Sequence, residues 1–291
     1  MQLQFMLNPA KTCVPQDSFQ FFPLILTING NYLFQFIVII RGSFQKKSAM
    51  APPKLTYFSL KGAGETIRFI LSYANEEFID DRIDYVKDWP KIKPTTPFGK
   101  LPVLEVDGKV ATQTSAICRY YAKKCGLAGK DDWEDLLIDA TVGTFDDMRL
   151  AITNSHYETN EEFKKKKIEF LNRETIPFYM ERLEKLIKEN DGYFVNGRLT
   201  WADSWVVALL DLVNKTMDRT LEEKYPLFEA LRDKVLAIPS IKTWVAKRPK
   251  TDCCSGRLIR HFVICNMQLN TVSGDFGFSS PEKRIAVFKQ R

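Results

Sequence analysis

Within residues 50–251, strand-type patterning is confined to one stretch. Short apolar runs alternate with turn signals from Lys54 to about Thr114, and from Asp131 onward only helical spacing remains. That segregation restricts the fold to a small α/β unit followed by an all-helical one. Lys54–Leu60 places Leu55 and Tyr57 on one alternating face and Phe58 and Leu60 on the other, which suits a strand buried on both sides. Gly62 and Gly64 give the following turn its backbone freedom, and Ile67, Ile70, Leu71 and Ala74 then recur at helical spacing. Phe78–Asp84 reads as a second, more polar strand, so this unit implies a right-handed parallel crossover. Val103–Val106 is a further short strand, Asp107-Gly108 is a two-residue hairpin signal, and the return strand begins at Val110. Thr114 leads into an apolar helix closed by Gly126.

The order is βαβ followed by ββα, with parallel and antiparallel strands in one sheet: an α/β, thioredoxin-like domain. Beyond it, residues 133–156, 161–189, 201–219, 228–236 and 241–247 read as helices of an all-α domain. Thr200 with Asp203 three residues later has the form of a capping box. The Lys164–Lys167 run reads as a solvated helix face.

The flanks differ from this core. Residues 1–49 carry four Lys/Arg and one Asp, residues 252–291 carry six Lys/Arg and three Asp/Glu, and the middle is balanced at 32 of each sign. The formal charge of +6 therefore comes from the ends, and a balanced core argues against a nucleic-acid platform. Residues 18–40 hold no charge over 23 positions, enough to span a bilayer, but Asn29, Gly30, Asn31 and Gln35 interrupt them and weaken insertion. Met50 reads as a natural start, so 1–49 is expected to be an extension outside the fold. Residues 252–291 are expected to be a loosely attached, poorly ordered tail. None of the six cysteines forms a C-x-x-C pair, which argues against a disulfide framework or dithiol site. Cys253, Cys254, His261 and Cys265 fit no metal-ligand spacing, and no metal site is expected.

Seven motifs in order, "LTYFSLKGAGETIR", "DWPKIKP", "FGKLPVLEVDG", "QTSAICRYYAKKCGLAG", "TFDD", "LTWAD" and "IPSIKTWVAKRP", resemble the sigma class of cytosolic glutathione transferases. The resemblance runs from about Lys54 to Thr251. It implies a glutathione-binding domain over 50–128, a helical domain over 129–251, and a cytoplasmic homodimer with glutathione as co-substrate and no permanent cofactor. Tyr57 would donate a hydrogen bond to the glutathione sulfur and favour its thiolate. Leu101-Pro102 would be cis, turning the Leu101 backbone toward the cysteinyl part of the ligand. Gln113 and Thr114 would hold the γ-glutamyl carboxylate at a helix start. Trp89, Lys93, Gly99 and Lys100 would line the glycine end. Asp147 would reach the glutathione amine in the partner subunit, and Phe58, Arg149 and Tyr157 would line the pocket for a hydrophobic electrophile.

The same resemblance carries departures. Ala63 stands where several sigma enzymes have an arginine beside the tyrosine. Gly143 replaces the first aspartate of a metal-binding trio that the prostaglandin D-forming members have, leaving Asp146 and Asp147. Asn154 stands where those members have a pocket tryptophan. The main expectation is conjugation of glutathione to electrophiles, with lipid-derived hydroxyalkenals as a candidate class. Prostaglandin isomerisation, a crystallin-like structural role and a membrane-tethered transferase remain as alternatives.

Overall fold

The structure is a computed structural model that describes residues 25–28, 31–34, 51–156 and 158–251. The chain divides into two compact units after Met50. In the first, β1 (Ile25–Ile28) and β2 (Asn31–Phe34) pair antiparallel, with Ile28 opposite Asn31. An extension or a membrane span was expected there, and the hairpin was not. Its signal was Asn29-Gly30 between two apolar runs, the dipeptide that best fits the twist of a two-residue hairpin. No helix among the described residues is long and apolar enough to cross a membrane.

The second unit opens with a four-stranded mixed sheet built from β3 (Lys54–Phe58), β4 (Ile79–Ile83), β5 (Val103–Val106) and β6 (Lys109–Thr112). Their spatial order is β4-β3-β5-β6, with β3 parallel to β4 and antiparallel to β5. The expected sheet is therefore present, although β3 stops two residues early. Ser59 N–H still reaches the Ile83 carbonyl at 3.2 Å, but Leu60 N–H folds back onto the Phe58 carbonyl at 2.7 Å and ends the strand. The expected strand at 78–84 is trimmed to Ile79–Ile83 because Asp84 turns the chain. Its carboxylate accepts from the N–H groups of Val86 and Lys87, both at 2.8 Å.

Helix α1 (Gly62–Tyr73) crosses from β3 to β4. A short turn of helix, α2 (Trp89–Ile92), follows β4, and α3 (Thr114–Cys125) ends at Gly126 in the left-handed region. The helical domain comprises α4 (Asp132–His156), α5 (Glu161–Phe170), α6 (Ile176–Glu189), α7 (Trp201–Met217), α8 (Pro226–Ala237) and α9 (Pro239–Lys247). The single helix expected over 161–189 is interrupted by a π-type turn at Leu171–Thr175. Pro177 lies at the start of α6 and has no N–H for a carbonyl one turn back, so the chain widens there instead of running straight. Helices α8 and α9 begin earlier than expected because Pro226 and Pro239 occupy their first positions, where proline costs nothing.

Helix α7 is the axis of this domain. Its first ten residues, Trp201 to Leu210, are all buried, as an all-round apolar helix requires. The expected capping box is present: Thr200 N–H and Oγ1 donate to one Asp203 carboxylate oxygen at 2.6 and 2.9 Å. The other oxygen accepts the Phe194 N–H at 3.0 Å. Helix α1 packs against α3, α7 and α9, so one core runs continuously from Leu55 in the sheet to Trp244 in the last helix.

Candidate active site

Tyr57 lies one residue before the end of β3 and is 3% exposed. Its hydroxyl oxygen accepts the Ala63 N–H at 3.2 Å. Ala63 is the second residue of α1, whose N-cap, Lys61, supplies no side-chain cap. The first N–H groups of a helix lack intrahelical acceptors and form its positive end. The phenol oxygen takes one of them, and the N–H on its lone pair polarises the O–H bond toward whatever accepts the hydrogen. Two glycines make this approach possible. A Cβ on Gly62, at φ +44°, would fall 2.9 Å from the Tyr57 hydroxyl, and one on Gly64 would fall 2.5 Å from the Tyr57 ring. The turn between β3 and α1 thus fits only with bare backbone against the tyrosine.

Around Tyr57 lies a small aromatic cluster of Phe58, Tyr85 and Trp89, against which Leu101 packs. Trp89 meets the Phe58 ring edge-on at a centroid separation of 5.4 Å. The Leu101–Pro102 peptide is cis, as expected. Gly99, at φ +60°, lies beneath the Lys93 side chain, whose Cε would be 3.6 Å from an added Cβ. Lys100 is exposed and Lys93 half-buried, and neither has a carboxylate partner among the described residues. Gln113, at φ 69° and ψ 111°, is the N-cap of α3, and Thr114 is its first residue. A non-glycine residue held there is strained backbone of the kind found where a ligand is gripped. The structure thereby brings Tyr57, Trp89 and Leu101-Pro102 into or beside one cluster. It also sets an exposed anion-favouring helix start and two uncommitted lysines on the same α/β domain.

The α4 residues have a separate environment. Asp147 is exposed. Asp146 is engaged: one carboxylate oxygen accepts from Arg149 at 2.7 Å and from the Trp205 indole at 3.4 Å. Phe58 is 2% exposed, so in an acceptor pocket it would form a floor and not a wall. Tyr157, like Cys253, Cys254, His261 and Cys265, lies outside the described residues.

Burial pushes the Cys118 thiol up to about 12 and raises Cys125 as well. Burial thus disfavours the thiolate form of both of these cysteines. Among the described residues no group of three or more His, Cys, Asp or Glu is placed to hold a metal ion. Sequence reasoning missed a buried ionic cluster under Tyr57, built on Glu65, Arg68 and Asp80. Its signal was a Glu and an Arg three apart on a helix whose neighbouring positions are apolar.

A mixed four-stranded sheet with a cis-proline, followed by a helical domain wrapped on its first helix, defines the glutathione transferase fold. Residues 53–123 match the family model of the glutathione S-transferase N-terminal domain, and residues 146–248 match that of the C-terminal domain. The chain is 44% identical to glutathione S-transferase S1 of Drosophila melanogaster over 198 residues, covering 68% of this chain and 79% of that protein. It is 46% identical to a glutathione S-transferase of Anopheles gambiae over 199 residues, 68% of this chain and 98% of the relative. The solved structure of a prostaglandin synthase D of Nilaparvata lugens superposes with a TM-score of 0.66 at 46% identity, covering 69% of this chain and all of that one. The chain belongs to the glutathione S-transferase family.

Proposed function

We propose that this chain is a sigma-type glutathione transferase that joins the sulfur of glutathione to hydrophobic electrophiles. The observation that carries the reading is the Tyr57 hydroxyl at the start of α1, accepting the Ala63 N–H at 3.2 Å beside the cis Leu101–Pro102 bond. A free thiol has a pKa of about 8.5, so only a few per cent is ionised at neutral pH. Lowering it by about two units requires roughly 2.7 kcal/mol, and one charge-assisted hydrogen bond supplies about 1.5–3 kcal/mol. Tyr57 would donate that bond. The thiol proton leaves to solvent, the sulfur lone pair forms the new C–S bond, and the acceptor's displaced electrons take up a proton or leave with a leaving group.

The remaining residues supply binding. The helix start at Gln113 and Thr114 favours the γ-glutamyl carboxylate. Lys93 and Lys100 favour the glycine carboxylate beside Trp89 and Gly99, and Leu101 pairs with the cysteinyl backbone as an added strand does. In a homodimer, the partner subunit's Asp147 takes the ligand amine. Arg149 and Tyr157 line the acceptor side over Phe58. We further propose that 50–128 and 129–251 are the working domains, that 1–49 and 252–291 lie outside the fold, and that the enzyme is cytoplasmic. The likeness to a prostaglandin synthase D of Nilaparvata lugens raises prostaglandin isomerisation as a second reading, but Gly143 offers no carboxylate and Asp146 is already committed to Arg149.

The test is glutathione conjugation by the full chain against Tyr57→Phe. Turnover should collapse with glutathione affinity little changed, because the hydroxyl acts on the sulfur alone. Equal turnover in both proteins removes Tyr57 from the mechanism.

A further inference from the structure

Beneath Tyr57 a chain of charge, buried at Glu65 and Arg68, reaches the end of α9. The Arg68 guanidinium sits 5.8 Å from the Tyr57 ring centre. One of its nitrogens donates to the Leu60 and Lys61 carbonyls, at 3.0 and 3.3 Å, and to Glu65 at 3.1 Å. Those carbonyls belong to the turn that delivers the Ala63 N–H to Tyr57. Arg68 is in turn fixed by Asp80 through Nε at 2.8 Å. The second Glu65 oxygen accepts the Trp244 indole N–H at 2.9 Å and Arg248 at 2.6 Å. Asp211 closes the outer edge, pairing with Lys61 at 2.6 Å and Arg248 at 3.7 Å. With Arg82 bonded to Asp80, the cluster holds four cations, Lys61, Arg68, Arg82 and Arg248, against three carboxylates, Glu65, Asp80 and Asp211.

Resting on the thiolate role given to Tyr57 above, we propose that Arg68 is a positioning residue for that tyrosine. Arg248 of the last helix sets it through Glu65, so that the docking of α9 on α1 tunes the acidity of the bound thiol. The physical basis is twofold. Removing Arg248 takes away the excess positive charge, and at a partly buried position charge acts over several ångströms with less screening than at the surface. It also leaves Glu65 with one counter-charge fewer, so the carboxylate draws Arg68 away from the Leu60 and Lys61 carbonyls and loosens the turn. Both changes make the thiolate harder to reach without touching the ligand's binding groups.

Arg248 caps the end of α9, with its side chain 13% exposed, so Arg248→Met is expected to fold. The measurement uses the full chain with glutathione bound, following the ultraviolet absorbance of the thiolate and the turnover against pH. Arg248→Met should raise the apparent pKa of the bound thiol by about half to one unit, which is about a two- to fivefold loss of turnover at pH ~6.5. Activity should recover at alkaline pH and KM should move less than about twofold. Arg248→Lys should restore most of the loss, and in a Tyr57→Phe background the effect of Arg248→Met should shrink to its through-space charge part. An unmoved pH profile, an equal loss at every pH, or a full effect without the Tyr57 hydroxyl overturns the positioning role while leaving the Tyr57 reading intact. A wild-type protein with no Tyr57-dependent thiolate signal overturns both.

Discussion

Gly64→Ala separates the position of Tyr57 from the stability of the fold. The added Cβ would lie 2.5 Å from Tyr57 Cδ1, 2.8 Å from its Cγ and 3.2 Å from an Arg68 nitrogen. Ordinary contact begins near about 3.5 Å, so the separation must open by about 1 Å. Rotation of the ring relieves little of this, because Cγ lies on the rotation axis. The ring is also hemmed in by Phe58, 5.7 Å away between centroids, and by the Arg68 guanidinium. Overpacking of this kind costs about 1–3 kcal/mol, and alanine returns up to about 1 kcal/mol of helix propensity. The net loss is roughly 0–2 kcal/mol, a few degrees of melting temperature for a domain pair of this size. Activity should suffer far more, since a displacement of about 1 Å at a reacting group costs about a hundredfold. The assay pairs thermal unfolding with initial rates of conjugation to a chromogenic aryl chloride. Gly108→Ala is the control: its Cβ meets nothing within 4 Å, although φ is +70°, so it should lose about 1 kcal/mol of stability and no turnover. A Gly64→Ala enzyme that keeps wild-type turnover would show that the turn does not set the tyrosine.

Other perturbations test other parts of the molecule. Arg198, 2.7 Å away, and the Lys130 N–H hold Glu134 down at about 2 from its usual 4.5. Because the folded pKa is the lower one, this contribution is full above about pH 4.5 and is lost as pH falls toward 2. Glu134→Gln should therefore be less stable than wild type in urea at neutral pH, and the gap should close in acid. Asp203→Ala removes a helix cap and orphans the buried Phe194 N–H, which should cost about 2–4 kcal/mol in a denaturant titration. Burial raises Asp203 to about 6, so its own pH-linked contribution runs the other way, full below about pH 3.8 and gone above about 6; the variant should lack that slope. Lys93→Ala should raise KM for glutathione about fivefold or more with kcat nearly unchanged, because a lysine on a terminal carboxylate contributes equally to ground and transition states.

Most of the fold was legible because its signals are local. Asp107-Gly108 needs only its own backbone to form a hairpin, Gly126 only its own φ of 77° to end a helix, and Thr200 and Asp203 only each other to cap α7. The errors fall where a local reading was incomplete. The break between α5 and α6 depends on Pro177, which helical periodicity across 161–189 concealed, and the uncharged run over 18–40, long enough for a membrane span, concealed the β1–β2 hairpin at Asn29-Gly30.

The site divides along the same line. Tyr57, Leu101-Pro102 and Gln113-Thr114 were legible through the family resemblance, because each falls within a contiguous motif that carries it. The charge cluster beneath Tyr57 could not be read this way. In isolation Glu65 and Arg68 are an i, i+3 pair of the kind that decorates solvated helices. Both are buried, at 0% exposure: Trp244 and Arg248, some 180 positions later in the chain, bond Glu65, and Asp80 with the turn after β3 holds Arg68. A buried charge is tolerable only when it is paired, so the last helix and the first must dock as a matched set. Helix α9 carries a cation and an indole N–H for no local reason, and α1 carries a glutamate that would otherwise be stranded. The positions least interpretable in sequence are therefore the ones that tie the helical domain to the turn holding Tyr57.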